Sequence, residues 1–268
     1  MSSSLGRLAL LFVPFTAIAA CGSFRDECHT ATGPFSAKYT LQDSPGGTCD
    51  PATVTELQGL KGDILGFEWY EFDHYNRDPD RDVNTLAVQA NALGKIVAMY
   101  SARKTADGQP ARDTAHKPYA LGAFATPGPE ADFFCRAPVL VSAEQNLPAV
   151  PSVPADASKM GDKGLPPLPA VSIKYDWTDV RVFVDPVISG AEIAATLAYT
   201  KNGCTAHYRV VAVYPQVNCL DTNKAPSPVM CDPVPRPEQN HPVGSGLSFP
   251  TTCDPDLGFC VLAKDDIP

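Results

Sequence analysis

From Val171 to Tyr214 the chain alternates. In Val171-Ser172-Ile173-Lys174-Tyr175-Asp176-Trp177 apolar residues face polar ones at every second position, and a period of two puts Val171, Ile173, Tyr175 and Trp177 on one face of an extended strand. Val180, Val182 and Val184 repeat the pattern, followed by Ile193, Ala195, Leu197 and Tyr199, and then by Tyr208, Val210, Ala212 and Tyr214. Lys201-Asn202-Gly203 separates the last two runs, and Asn-Gly supplies the positive φ angles of a tight hairpin. The spacing predicts four strands in meander order, each with one apolar face that the rest of the chain must cover.

The first half carries the same signal less cleanly. Phe35-Ser36-Ala37-Lys38-Tyr39-Thr40-Leu41 alternates throughout, and residues 64–72, 86–90, 96–100, 119–125 and 133–141 read as strands bounded by Gly, Pro or Asp. Only residues 51–60 invite a helix, with Asp50 as N-cap and Pro51 at the first helical position. The 27 prolines lack a backbone N–H and argue for loops and edge strands over long helices. The expected class is mainly β, an antiparallel β-sandwich or an open barrel with long Pro-rich loops. Residues 146–170 (NLPAVPSVPADASKMGDKGLPPLPA) should be extended and solvated. They either separate two domains or cross a single β body as a long loop. Four strands beyond them make a thin domain, which favours the single body.

The first twenty residues, MSSSLGRLALLFVPFTAIAA, hold one cation, Arg7, then an apolar run and small residues before Cys21. This is the layout of a secretory signal, too short to span a bilayer. Ile18-Ala19-Ala20-Cys21 resembles the lipobox of bacterial lipoproteins, in which cleavage precedes the cysteine and the new N-terminal Cys carries acyl chains. The rival is ordinary cleavage after Ala19, which would leave Cys21 a thiol. In that family an Asp after the lipidated Cys retains the protein in the inner membrane; Gly22 stands here, so the resemblance implies an outer-membrane address. Loss of Arg7 takes the formal net charge from −9 to −10. An acidic surface repels nucleic acid, which is excluded as a partner.

Without Cys21 an even set remains: Cys28, Cys49, Cys135, Cys204, Cys219, Cys231, Cys253 and Cys260. In an exported chain these read as a disulfide framework. Short separations point to Cys253 with Cys260 and Cys28 with Cys49, although eight cysteines allow 105 pairings. Zinc would want close pairs such as C-x2-C, which are missing. Cys-Asp-Pro recurs at residues 49–51, 231–233 and 253–255, where Asp starts a turn through its own side chain and Pro fixes the next φ. Past Cys219 periodicity fades, so the expected order is signal 1–20, tether 21–27, β body 28–219 and a disulfide-stapled Pro/Cys-rich tail 220–268.

Chemistry-bearing motifs are scarce. Asp78, Asp80, Asp82 and Asn84 fall at every second position, like the oxygen ligands of a calcium loop, but Val83 stands where the turn needs Gly and Gln89 where a bidentate Glu should close it. A solvated loop balanced by Arg77 and Arg81 is the simpler reading, and no metal or cofactor is assigned. Ser101-x-x-Lys104 lacks the companion motifs of its enzyme class, and Gly244-Ser245-Gly246 lacks the nucleophile-elbow form. His29, His74, His116, His207 and His241 stand without a motif, and alternation turns His207 outward. Stretches such as His116-Lys117-Pro118-Tyr119-Ala120-Leu121-Gly122, Asp132-Phe133-Phe134-Cys135 and Asn202-Gly203-Cys204-Thr205-Ala206-His207-Tyr208-Arg209-Val210 are similar to uncharacterised lipoproteins of myxobacterial type. The resemblance implies the address and no activity. The expectation is a non-enzymatic module held at the membrane through Cys21, with a binding or structural role towards an envelope protein or polymer. The rival is a periplasmic hydrolase assembled from separate loops.

Overall fold

The computed structural model describes residues 27–70, 85–155, 158, 161, 163–184, 189–239, 241 and 244–267. Cys21, His74 and the acidic run with Asp78, Asp80 and Asp82 lie outside them. The described chain forms β1 (Gly33–Leu41), β2 (Gly46–Gly47), α1 (Pro51–Gly59), β3 (Gly62–Tyr70), β4 (Thr85–Ala90), α2 (Asn91–Ser101), β5 (Ala120–Ala123), β6 (Phe134–Val139), β7 (Ala143–Leu147), β8 (Val171–Val184), β9 (Ser189–Lys201), β10 (Cys204–Val213), β11 (Thr251–Asp254) and β12 (Phe259–Leu262). All strand pairs of the main sheet are antiparallel, in the order β5-β4-β3-β1-β10-β9-β8-β6, with β7 continuing along β8 beyond β6. The outer edges meet: Leu121 and Val141 exchange two backbone hydrogen bonds of 3.2 and 2.7 Å, and the Ala125 N–H donates to the Arg136 carbonyl at 2.7 Å. Taking β6 and β7 as one interrupted strand, the sheet is a nearly closed up-and-down barrel in which neighbours in sequence are neighbours in space. Between the sandwich and the open barrel, the structure takes the barrel.

A barrel of about eight strands is just wide enough for side chains to fill, and here they do. Phe35, Leu65, Leu86, Ile173, Trp177, Ile193, Leu197 and Tyr208 are each less than 2% exposed and belong to one apolar cluster. At one end α1 and α2 cap the barrel. Asp50 starts α1 as expected: its Oδ1 accepts from the Ala52 and Thr53 amides at 3.0 Å. The same device follows the other two Cys-Asp-Pro triplets, with Asp232 accepting from the Val234 amide and Asp254 from those of Asp256 and Leu257. Asn202 (φ 50) and Gly203 (φ 82) turn the β9–β10 hairpin, also as expected.

Several sequence expectations need correction. The two strands placed at 171–177 and 180–184 are one strand, β8, with a register shift between Thr178 and Arg181 and Asp179 at φ 49. The bulge lets Trp177 and Val180 both face inward, although alternation alone would put them on opposite faces. Residues 96–100, read as a strand, lie in α2. Leu93, Ile96, Val97 and Tyr100 recur at helical spacing and pack on the core; the β-branched Ile-Val pair obscured that period. This helix has no side-chain cap of its own, and Asp63 from β3 substitutes by accepting from the Ala92 amide at 2.9 Å. The Pro-rich stretch is laddered through Val150–Leu168 and Val153–Leu165 and docked on α2, where Arg103 donates to the Pro151 and Pro166 carbonyls. Leu147 and Val150 are buried there with Tyr100. The tail, expected to lack a core, contains the β11–β12 hairpin and packs Leu247, Phe249, Leu262 and Ile267 against Ala194, Val211 and Val213 on the outer wall of β9 and β10.

The disulfides are Cys28–Cys135, Cys49–Cys204, Cys219–Cys253 and Cys231–Cys260. Both local pairings expected from sequence are overturned. Cys28 precedes and Cys49 follows the nine-residue strand β1, which itself spans about 26 Å at 3.3 Å per residue. Cys253 and Cys260 do stand opposite each other in the β11–β12 hairpin, yet each bridges away from it. The hairpin ladder already joins those two strands, so the bridges tie it to residues 217–231 alongside.

Candidate functional site

An apolar cleft lies on the outside of the barrel, where the C-terminal strap, residues 263–267, crosses the wall formed by β1, β10 and β9. Lys38, pointing out from β1, holds the strap: its Nζ donates to the Leu262 carbonyl at 3.1 Å and pairs with Asp265 at 2.7 Å. On the other side Arg181 pairs with Asp266 at 3.0 Å. The Lys38 hydrogen bond and charge lower the Asp265 carboxyl from its ordinary value of 3.8. Between these fastenings is a cleft of about 390 Å³. Its base carries buried Glu192 and, on β10, Arg209; Phe249, Leu262 and Ile267 form the apolar walls. An apolar cleft with a few convergent charges suits a small amphipathic molecule.

Inside the barrel, at the helix-capped end, Tyr39, Tyr175, Tyr199 and Tyr208 gather near Asp63. Burial, then the Asp63 charge, pushes the Tyr39 phenol well above its ordinary value, and burial raises Tyr208 to about 12. Tyr208 donates to the Leu57 carbonyl of α1, whereas the Tyr39 hydroxyl has no hydrogen-bond partner among the described residues. Burial also raises the Asp63 carboxyl. All four rings stay neutral phenols at neutral pH.

The histidines stand in no motif, yet two of them meet acids in the fold. His116 Nδ1 lies 2.7 Å from Asp113, and His207 Nδ1, on the outward face as expected, lies 2.7 Å from Asp43. The Asp113 hydrogen bond raises the His116 pKa. This orients the ring as in a catalytic triad. However, the polar neighbours recorded for His116 beyond Asp113 are Glu144 and Asn146, and no serine or cysteine bonds either ring among the described residues. The Cys219, Cys231 and Cys260 sulfurs lie within 4.8 Å of one another, but all three are in bridges and offer no thiolate to a metal. No helix among the described residues is long and apolar enough to cross a membrane.

The fold and its surface sites thus define a small, nearly closed β-barrel with a disulfide-stapled tail laid along one wall. A sequence profile of the MlpA family matches residues 33–215, which is the span from the first residue of β1 to just beyond β10. The chain belongs to the MlpA family. It is 37% identical over 103 residues to "Putative lipoprotein MlpA" of Myxococcus xanthus, an alignment covering 36% of this chain and 39% of the relative. The chain therefore spans about two fifths of the length of that curated relative. These matches bear out the resemblance to myxobacterial lipoproteins. No solved structure matches.

Proposed function

We propose that this protein is an extracytoplasmic lipoprotein, anchored in the outer membrane through acyl chains on Cys21, that acts as a binding module and not as a catalyst. In this reading residues 1–20 are the cleaved signal, 21–27 the tether, 28–219 the body and 220–268 the tail. The lipobox residues Ile18-Ala19-Ala20-Cys21 and the kinship with a protein named as a lipoprotein support the anchor. Cys28 is fixed to the barrel by its bridge to Cys135 and by its backbone N–H, which donates to the Pro127 carbonyl at 2.9 Å. A tether from Cys21 to Cys28 reaches at most about 25 Å, so the body stays close to its membrane. More than one acyl chain on a single cysteine makes such attachment stable.

The binding reading rests on one observation: the barrel interior is occupied by large side chains, while an apolar cleft lies outside, beneath the C-terminal strap. The envelope partner, a protein or a polymer, is met on that outer surface, with no cofactor and no nucleic acid.

Two measurements test this. Intact mass of membrane-extracted protein should give a chain starting at acylated Cys21 that gains eight hydrogens on reduction, two for each of the four bridges. An unacylated chain starting at Ala20 ends the anchor reading. For the cleft, the fluorescent amphiphile anilinonaphthalene sulfonate should bind the native protein. Ile267→Asp, which puts a charge in the apolar wall at the second-last residue and leaves the barrel intact, should weaken that binding about tenfold, a loss near 1.4 kcal/mol. Undiminished dye binding by the variant removes the cleft from consideration.

A further inference from the structure

A second groove crosses the outer face of β3, β4 and β5, away from the strap. It has a volume of about 260 Å³, and its lining includes Thr32, Gly66, Glu68, Tyr70, Gln89 and Tyr119. Register explains the arrangement. Gly66 pairs with Pro34 on one side and Gln89 on the other, Glu68 pairs with Ala87, and Tyr70 with Thr85. Val88 pairs with Ala120, which sets Tyr119 beside Gln89 at the start of β5. Two small residues, Gly66 and Ala87, thus form a floor between two tyrosines, and Tyr70 is 46% exposed. Its hydroxyl lies 3.4 Å from Glu68 Oε2.

Gly66 is the informative residue. Most glycines in the long strands have an internal reason: at Gly62 a Cβ would come 2.0 Å from the Ala37 carbonyl oxygen, and Gly33 and Gly190 have positive φ. Gly66 has neither constraint. Its φ is not in the left-handed region, and the nearest atom to a Cβ would be the Gln89 carbonyl oxygen at 3.7 Å, an ordinary contact. A glycine inside a strand is destabilising relative to alanine, and a strand interior without a side chain often marks where something outside the chain approaches the backbone closely. Here the space left by the missing side chain is the groove itself.

The lining chemistry selects the occupant. Tyrosine rings present flat faces for stacking, while Thr32, Glu68 and Gln89 present hydrogen-bonding groups around them, the combination that meets a sugar ring with apolar C–H faces and a polar hydroxyl rim. Among the described residues the lining contains no lysine, arginine or histidine, and Glu68 would repel a carboxylate or phosphate. We propose that this groove binds an uncharged saccharide, stacked on Tyr70 and Tyr119 over Gly66 and hydrogen-bonded by Glu68 and Gln89. This deepens the binding-module reading by naming a ligand class and a site separate from the strap cleft.

The test is calorimetric titration of the full mature chain, solubilised in a zwitterionic detergent free of sugar headgroups. The probes are an N-acetylglucosamine tetramer, which represents cell-wall glycan, and a glucose tetramer, which represents neutral surface polymers. One of them should bind with a Kd of about 0.1–1 mM, the weak range expected for a shallow groove, and which one binds identifies the source. Tyr70→Ala should weaken binding about tenfold or more, by analogy with loss of an aromatic stacking partner. Gly66→Val should abolish it while leaving the melting temperature equal or higher, because valine suits a strand and its Cβ would make only an ordinary contact, 3.7 Å from the Gln89 carbonyl oxygen. Loss of affinity without loss of fold separates ligand space from a merely structural role. The proposal is overturned by no binding of either sugar, by undiminished binding to Gly66→Val, or by preference for a proline-rich peptide at this groove. None of those outcomes touches the acyl mass or the dye result, so the anchor and strap cleft stand or fall independently.

Discussion

Trp177→Ala lowers the free energy of unfolding by about 3–5 kcal/mol, the range for removing a buried aromatic side chain. Trp177 is 1% exposed and among the largest fully buried side chains of the barrel. It stacks on Tyr175, with centroids 6.3 Å apart and planes 18° from parallel. Two features make the site unable to collapse around an alanine. The nearly closed sheet fixes the distance across the interior, so opposite walls cannot approach as two layers of a sandwich might. The bulge after Thr178 also holds Val180 inward beside it, so β8 cannot slide by one residue without turning its whole apolar face outward. Chemical denaturation followed by circular dichroism should give a lower midpoint with an unchanged slope. Trp177→Phe, which keeps most of the volume, should cost less than half as much. A loss below about 1 kcal/mol for the alanine variant would mean that the interior repacks and is not close-packed in the usual sense.

That interior was legible because it follows one rule. The inward residues of β1, β8, β9 and β10 are those named by period-two alternation, and the Asn-Gly turn and the Asp side-chain turns follow from local chemistry that a few residues decide. Legibility fails where a distant partner decides. Residues 96–100 favour a strand locally, but the carboxylate of Asp63 and the apolar core below make them helical. The bulge in β8 cannot be inferred from Asp179, an ordinary residue held at positive φ by the strands around it. The Pro-rich stretch looks solvated until the carbonyls of Pro151, Pro166 and Pro169 are seen to accept from Arg103 and Tyr100.

Both surface sites were hidden for the same reason. Gly66 and Gln89 come from β3 and β4 and Tyr119 from the residue before β5, and the strap cleft joins β9 and β10 to residues 249–267. No contiguous motif records either. A signal did exist at Gly66, an unexplained glycine within an otherwise regular strand, but it becomes informative only once the neighbouring backbone can be measured. The lipobox, by contrast, is a local signal whose anchoring role is tested by mass and not by the fold.

Removing the Cys49–Cys204 bridge with a double alanine substitution is the second large expected effect, and its size depends on how the bridges share the chain. The two cysteines are 155 residues apart, and loop-closure entropy for a cross-link of that span is worth about 5 kcal/mol. The Cys28–Cys135 bridge shortens the unfolded route between them to on the order of 90 residues, which brings the expected loss to about 4.6 kcal/mol in the same chain-entropy picture. The native state adds little to this, since alanine fits where Cys204 is buried and Cys49 lies just before the cap of α1. At roughly 2–4 °C per kcal/mol for a protein of this size, the melting temperature should fall by about 9–18 °C. The Cys219–Cys253 bridge spans 34 residues, nominally worth about 4 kcal/mol, but it lies wholly within the region that follows the barrel strands. Its removal should loosen residues 217–262, read as faster amide exchange in β11 and β12, while β8 to β10 stay protected. If both double substitutions instead lower one cooperative transition by the same amount, the tail and the barrel unfold together, and the strap is as much part of the barrel wall as the strands it crosses.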